Sequence, residues 1–279
     1  MKLSYLCPVC RGKLKQHENA FRCPKGHSFD ISRKGYVNLL TTKGHNPDKA
    51  GDNKEMIRAR SGFLDSGHYE PLARKVGTLI DDLTSDIKEP AVIDSGCGEG
   101  YYTVIYSQIA GRCELYGVDI SKHGIDHAAS RARSAAPKPD NVFFSVGSAF
   151  SLPFKDSTAD IVISTFAPVS NDEYARVLKP GGRLIIVSPG ARHLFGLKRV
   201  LYEKPYENEP NRYALSKFTL EDTLTLEYSV TLECSEQIMQ LFTMTPYYYK
   251  TSKDAADRLR AVSRLETELG FEIRVYTKN

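Results

Sequence analysis

Cys7 and Cys10 bracket Pro8 and Val9, and twelve residues later Cys23 and His27 bracket Pro24, Lys25 and Gly26. Two close pairs of thiolate and imidazole donors are the ligand set a structural Zn²⁺ takes up in a tetrahedron. A second signature follows at Val92-Ile-Asp-Ser-Gly-Cys-Gly-Glu-Gly100. There an apolar run ends in a carboxylate and enters glycines that let the backbone approach a ligand closely, just where a helix starts. Asp119 ends the next apolar run, Leu115-Tyr-Gly-Val-Asp119, the place where ribose hydroxyls are recognised in dinucleotide folds. The spacing of Gly96, Gly98 and Gly100 differs from the Gly-x-Gly-x-x-Gly dinucleotide fingerprint. A metal staple ahead of a cofactor turn suggests an enzyme carrying its own substrate-recognition head.

These residues need elements to position them. Over residues 1–36 the short apolar pieces Leu14, Ala20 and Phe21 suit a two-stranded ribbon turning at Gln16–Asn19, stapled by metal because so short a module lacks a core of its own. A redox role for Cys7 and Cys10 would call for a strand-to-helix junction in a βαβ unit, which is absent here. His17 falls in the ribbon turn, and Cys97, Cys113 and Cys234 stand alone as core or loop thiols. Residues 37–90 form a linker and helical segment. Thr41–Gly51 reads as a polar loop, Asp52 as a helix cap reciprocated by Glu55, and Met56, Ile57, Phe63 and Leu64 as helical spacing with Arg58 and Arg60 near the other face. A second helix follows Pro71, with Leu72, Val76, Leu79, Ile80 and Leu83 as its stripe, after a polar turn at Ser66–Tyr69.

From residue 91 to 279 strands and helices alternate. Strands are expected at 91–94, 115–119, 142–146, 160–165 and 183–188, with helices at 101–110 and 171–177. That alternation predicts a doubly wound parallel α/β sheet whose ligand sits at the strand carboxyl ends.

Composition bounds the class. At 279 residues, 41% hydrophobic and 26% charged, the chain has room for one α/β domain and a small module. It contains no stretch of eighteen apolar residues, so no membrane partner is expected. The first residues lack a signal-peptide core, so a cytoplasmic location with reduced cysteines is expected. Residues 1–60 hold 13 Lys/Arg against 5 Asp/Glu, while the remainder is mildly acidic. A basic head attracts polyanions such as RNA, but charge alone does not separate that from a solvated basic surface.

The motif set Asp94-x-Gly-x-Gly-x-Gly, Val-Asp119, Leu152-Pro-Phe and Leu178-Lys-Pro-Gly-Gly resembles class I S-adenosylmethionine (SAM) methyltransferases. That family's sheet is mixed, and 228–234 with 271–276 are positioned to supply its late antiparallel hairpin. The head, Phe29-Asp30 with Gly35–Leu40, Gly51-Asp52 with Glu55-Met56, and Phe63-Leu-Asp with Gly67-His-Tyr69 extend the resemblance to the RlmA-type 23S rRNA guanine-N1 methyltransferases over nearly the whole chain. It implies a Rossmann-like methyltransferase domain with an N-terminal zinc ribbon, structural Zn²⁺ on Cys7, Cys10, Cys23 and His27, and SAM on Tyr69, Asp94, Gly96, Gly98, Glu99, Gly100, Asp119 and His193. The implied partner is a 23S rRNA hairpin loop, and the family suggests a homodimer. Ser148 stands where related enzymes carry an acid for the adenine amino group, so backbone near Ala149 is expected to serve there. The chain lacks the Asn/Asp-Pro-Pro-aromatic segment of exocyclic-amine methylation, and no cysteine follows the fourth or fifth strand for attack on pyrimidine carbon. An endocyclic nitrogen such as guanine N1 is compatible. Phe166 is a candidate to stack on an extruded base, with core packing as the alternative. Asp52 and Glu55 are candidate proton acceptors, which capping explains equally, so no catalytic base is assigned. The basic and aromatic residues of 191–218 (Lys198, Arg199, Lys204, Arg212, Lys217, Tyr202, Tyr206, Tyr213) suit single-stranded RNA. The rival readings are a small-molecule SAM methyltransferase and a non-catalytic SAM- or RNA-binding protein.

Overall fold

A computed structural model describes residues 1–41 and 51–279; most of the expected polar loop at 41–51 lies outside them. The head is a three-stranded antiparallel ribbon, β1 (Lys15–His17), β2 (Ala20–Arg22) and β3 (Ser28–Asp30), rather than two strands. The third strand exists because the chain reverses again at Cys23–His27 and lays Phe29 opposite Phe21.

Strand β4 (Val37–Asn38) leaves the head and pairs in parallel with β7 (Val142–Val146) at one edge of the main sheet. With β5 (Ala91–Ser95), β6 (Glu114–Asp119), β8 (Ala159–Thr165), β9 (Leu178–Pro189), β10 (Phe218–Leu232) and β11 (Leu265–Lys278), the eight-stranded order is β10-β11-β9-β8-β5-β6-β7-β4. The run from β9 to β4 is parallel, as the alternation predicts. β5 and β8 are apolar on both faces, the mark of strands covered by helices on each side. β11 runs antiparallel to both β9 and β10. The expected late hairpin is therefore a long strand pair joined through α7 (Ser235–Thr243) and α8 (Lys253–Arg260), with Tyr228 opposite Leu269. Lys179–Gly182 bulges out of β9, since Ala159 pairs Leu178 while Ile161 already pairs Arg183.

Six further helices pack on the sheet: α1 (Lys54–Asp65), α2 (Glu70–Leu83), α3 (Tyr101–Ile109), α4 (Lys122–Ser134), α5 (Asn171–Val177) and α6 (Phe195–Leu201). The cap of α1 is Asn53, whose Oδ1 accepts from the Met56 amide at 2.9 Å, and not Asp52. Asp52 is instead paired with Arg60 across the turn. Arg60 thus points toward the protein, and the outer-face expectation holds for Arg58 alone, which is exposed. In α2, Leu72, Val76 and Ile80 are fully buried while Leu79 and Leu83 pack at the margin.

Lys198 also departs from expectation. It lies on α6, fully buried, and its Nζ donates to the Tyr206 carbonyl at 2.9 Å and to Asn208 Oδ1 at 2.7 Å. It pins the 202–208 loop and is not available to a phosphate. Arg199, Lys204, Arg212 and Lys217 remain exposed, though Lys217 pairs with Asp172 at 2.9 Å. Pro246–Tyr249 form a 3₁₀ turn in which Tyr247 and Tyr248 are partly buried against the core, Tyr248 on Phe242 of α7, while Tyr249 is 65% exposed.

Candidate active site and metal centre

Two tight turns build the metal centre. The Arg11 amide donates to the Cys7 carbonyl at 2.8 Å and the Gly26 amide to the Cys23 carbonyl at 2.9 Å, so each ligand pair curls toward one point. Gly26 has φ +83°, which a glycine adopts without strain. The ligand atoms of Cys7, Cys10, Cys23 and His27 all lie within 4.8 Å of one another. Cys10 and Cys23 sulfurs are 3.6 Å apart, and His27 Nδ1 is 3.5 Å from Cys7 Sγ and 3.3 Å from Cys23 Sγ. A Zn²⁺ tetrahedron with bonds of about 2.3 Å to sulfur and about 2.0 Å to nitrogen has edges of about 3.5–3.8 Å. The cage fits the ion. Burial opposes ionisation of Cys23, but donors from the His27 and Lys25 backbone and from the Cys10 and His27 side chains outweigh it and bring the thiol down to about 6. That favours the thiolate, the form that binds metal.

The second site lies at the carboxyl ends of β5, β6, β8 and β9, where the sheet order changes direction. Gly96, Gly98 and Gly100 have φ of +82°, +55° and +81°. A Cβ on Gly96 would stand 2.4 Å from Ala167 Cβ, and one on Gly100 2.7 Å from Ala128 Cβ. These two glycines are fixed by packing. Gly98 is different: among the described residues its added carbon would meet only Arg60 Nη1 within 4 Å, at 3.6 Å. It presents the open side of the turn.

Asp119 faces the same turn. Its Oδ2 accepts from the Gly98 amide at 2.9 Å and Oδ1 from the Ser121 amide at 2.7 Å. Each oxygen keeps a lone pair for a ribose hydroxyl. Asp94 accepts from Thr103 Oγ1 at 2.6 Å through Oδ2, while Oδ1 is buried without a partner. Burial pushes its carboxyl up to about 7, with the Asp119 charge adding to the shift. An unpartnered buried carboxylate oxygen is costly unless a ligand completes it. The ammonium of a methionine end would. Glu99 Oε2 accepts from Arg131 Nε and Nη2 at 2.9 and 2.6 Å, which ties the turn to α4, while its Oε1 is buried with no partner among the described residues. Ser95, next to Asp94, is fully buried and accepts from the Tyr174 hydroxyl at 3.0 Å.

Tyr69 and His193, 124 residues apart in sequence, meet at 3.2 Å between hydroxyl and Nε2. Both are buried, at 3% and 6% exposure. Burial, helped by the Lys198 charge, drives the His193 imidazole down to about 3, so it is neutral near pH 7. Phe166, 42% exposed at the end of β8, lies 6.3 Å from the His193 ring at 22° between planes, and also neighbours Tyr69, Tyr102 and Phe271. The next residue, Ala167, packs on Gly96. Phe166 and Ala167 thus link the Tyr69–His193 pair to Gly96, and the Gly98–Asp119 hydrogen bond continues the same turn beside Asp94, so these residues lie together at the strand ends. Ser148 accepts from the Phe150 amide at 3.2 Å, and Phe150 stands 62% exposed beside it. The arrangement can hold a cationic, ribose-bearing ligand among carboxylates and leave a flat apolar face for a planar acceptor. Arg60, Ser121 and Arg131 at this site were invisible in the sequence, since nothing in their local spacing marks them.

Comparison with known proteins agrees. Residues 87–243 match the model of a methyltransferase domain, and residues 5–45 match that of the RlmA N-terminal zinc ribbon. The chain is 33% identical over 233 residues to the 23S rRNA (guanine(748)-N(1))-methyltransferase of Streptomyces fradiae, covering 80% of each chain. A provisional 23S rRNA (guanine-N(1)-)-methyltransferase of Micromonospora griseorubida is 36% identical over 208 residues, 68% of this chain and 67% of that one. YxjB of Bacillus subtilis, provisionally given the same designation, is 30% identical over 285 aligned positions, 98% of this chain and 97% of that one. With a zinc-ribbon head, a class I methyltransferase sheet and similarity along its full length, this chain belongs to the RlmA-type family of methyltransferases.

Proposed function

We propose that this protein transfers a methyl group from SAM to N1 of a guanine in a hairpin loop of 23S rRNA. The observation that carries this reading is that the similarity to enzymes so named runs through the head as well as the catalytic sheet. A small-molecule methyltransferase has no need of the basic ribbon. SAM supplies an activated methyl on a sulfonium. The chain's residues do the rest. Asp119 receives the ribose hydroxyls, Asp94 the ammonium, and the glycine turn with the backbone of Glu99 lets the ligand approach. Tyr69 and His193 complete the wall, and because His193 is neutral it adds no positive charge beside a sulfonium. Phe166 offers its exposed face to a base taken out of the stack.

No proton acceptor is assigned between the two acids weighed for the role. Asp52 is held by Arg60, and Glu55 is exposed on α1. In this reading residues 1–36 grip the RNA, 37–90 bridge and wall the cofactor, and 91–279 carry the methyl-transfer site. The protein would work in the cytoplasm on ribosomal RNA, as a homodimer. Among the described residues, no helix is long and apolar enough to cross a membrane.

The test is incubation of the purified chain with SAM and unmodified 23S rRNA, read by reverse transcription. Methylation at N1 removes the Watson–Crick proton, so extension stops at the modified guanine. No stop in rRNA, with label transferred instead to a metabolite extract, would favour the small-molecule reading.

A further inference from the structure

We propose that Arg60 holds the carboxylate of the methyl donor, exchanging Asp52 for it when the cofactor enters; this rests on the reading that the glycine turn holds SAM. Arg60 lies on α1, outside the cofactor motifs. Its Nη1 is nevertheless the group that faces the open side of Gly98, 3.6 Å from where a side chain there would begin. Its present partner is Asp52, and both side chains are about a quarter exposed, at 25% and 26%. The segment carrying Asp52 is docked on the cofactor edge of the sheet: the Asp52 carbonyl accepts from Ser121 Oγ at 2.9 Å, two residues beyond Asp119.

Charge decides the assignment. The donor brings a sulfonium, an ammonium and a carboxylate into a cleft bordered by Asp52, Asp94 and Asp119. Three acids suit the two cations and repel the anion, so its carboxylate needs a cation at the turn. Arg131 also reaches the turn, but its guanidinium is bound to Glu99, Asp65 and Ser61. Among the described residues Arg60 has a single acidic partner, and a planar guanidinium takes a carboxylate through two parallel hydrogen bonds. The Asp52–Arg60 pair thus mirrors the zwitterionic methionine end and keeps Arg60 in place until the ligand replaces Asp52.

The experiment is calorimetric titration of the full, zinc-loaded chain with SAM and with decarboxylated SAM, which differs by the carboxylate alone. Wild type is expected to bind SAM about 30-fold more tightly than the decarboxylated form, as a charge-assisted hydrogen-bond pair implies. Arg60→Met should lose that preference and bind the two within about threefold; Arg60→Lys should fall between. A preference unchanged in Arg60→Met overturns the proposal. So does a wild type that binds both ligands equally, which needs no variant to fold. A wild type that binds neither refutes the SAM reading of the turn itself.

Discussion

At the scale of single residues, the acids of the cleft make the clearest predictions. On the proposed reading Asp119→Ala removes the acceptor for both ribose hydroxyls, and it frees the Gly98 amide that Asp119 holds at 2.9 Å. SAM affinity measured by calorimetry should fall more than about tenfold; unchanged affinity would put the ribose elsewhere. Asp94 carries a pH signature. Its carboxyl sits near 7 in the folded protein against about 4 in an unfolded chain. The native state therefore binds more protons between those values, and Asp94 makes the ligand-free protein less stable as pH rises through that window. A ligand ammonium at the unpartnered Oδ1 favours the charged form. SAM affinity should then rise by up to about tenfold per pH unit below 7 and level off above it. Asp94→Asn should flatten the profile, and a wild-type profile already flat from pH 5 to 8 would contradict the contact. Gly96 was legible as a ligand-approach residue, yet the structure gives it a second duty, because a Cβ there collides with Ala167. Gly96→Ala should cost about 3 kcal/mol in urea unfolding, from positive φ and overpacking together.

At the scale of elements, strand positions were readable because β5, β6, β7 and β8 are short apolar runs closed by turn residues. Caps and ends were less so. Asp52 and Asn53 are both competent caps, and the choice between them fell to the Arg60 pairing, a tertiary contact. The bulge in β9 and the length of β10 and β11 were hidden for a similar reason: β10 alternates half-buried and exposed residues only from Thr223 to Val230, with an exposed run before it, a weak pattern until β11 pairs with it. The ribbon depends on its metal. Cys23→Ser removes one of the four ligands and should release zinc to a chromophoric chelator. SAM binding should largely survive, since the cofactor turn is held by Ala167, Ala128 and Arg131, none of them in the head. Stoichiometric zinc in the variant would exclude Cys23 as a ligand.

At the scale of the whole molecule, head and sheet share one core. Leu3, Tyr5, Cys7, Leu14, Phe21 and Cys23 pack in the same cluster as Tyr116, Leu152 and Phe154. Tyr5 stacks 5.5 Å from Phe154, the Leu3 amide donates to the Tyr116 hydroxyl at 2.8 Å, and the Leu6 amide to the Pro153 carbonyl at 2.8 Å. The head also grips α4 through Lys34 and Asp126, at 2.5 Å. Removing residues 1–36 would bare the aromatic face of Tyr116 and Phe154 to water, so the truncated body should melt several degrees lower and aggregate. A monodisperse body with the parent melting temperature would show that the head is an appendage. Because Asn38 lies beside Val146, and Val146 beside Asp119, the chain leaves the head at the sheet edge that carries the cofactor cleft.

By itself, the sequence determined the motifs that depend on near neighbours along the chain, though not the cap of α1 or the third strand of the ribbon. Ligand pairs three and four residues apart, a glycine turn after a strand-end acid, and alternating apolar runs are local, and local geometry fixed their meaning. Tertiary structure alone decided what needs distant residues to meet: Tyr69 with His193, Arg60 with the open face of Gly98, Glu99 with Arg131, and Lys198 sealed inside. A charged side chain looks the same in sequence whether it ends in water or in a buried pair, and only the packing around it sets which cost is met.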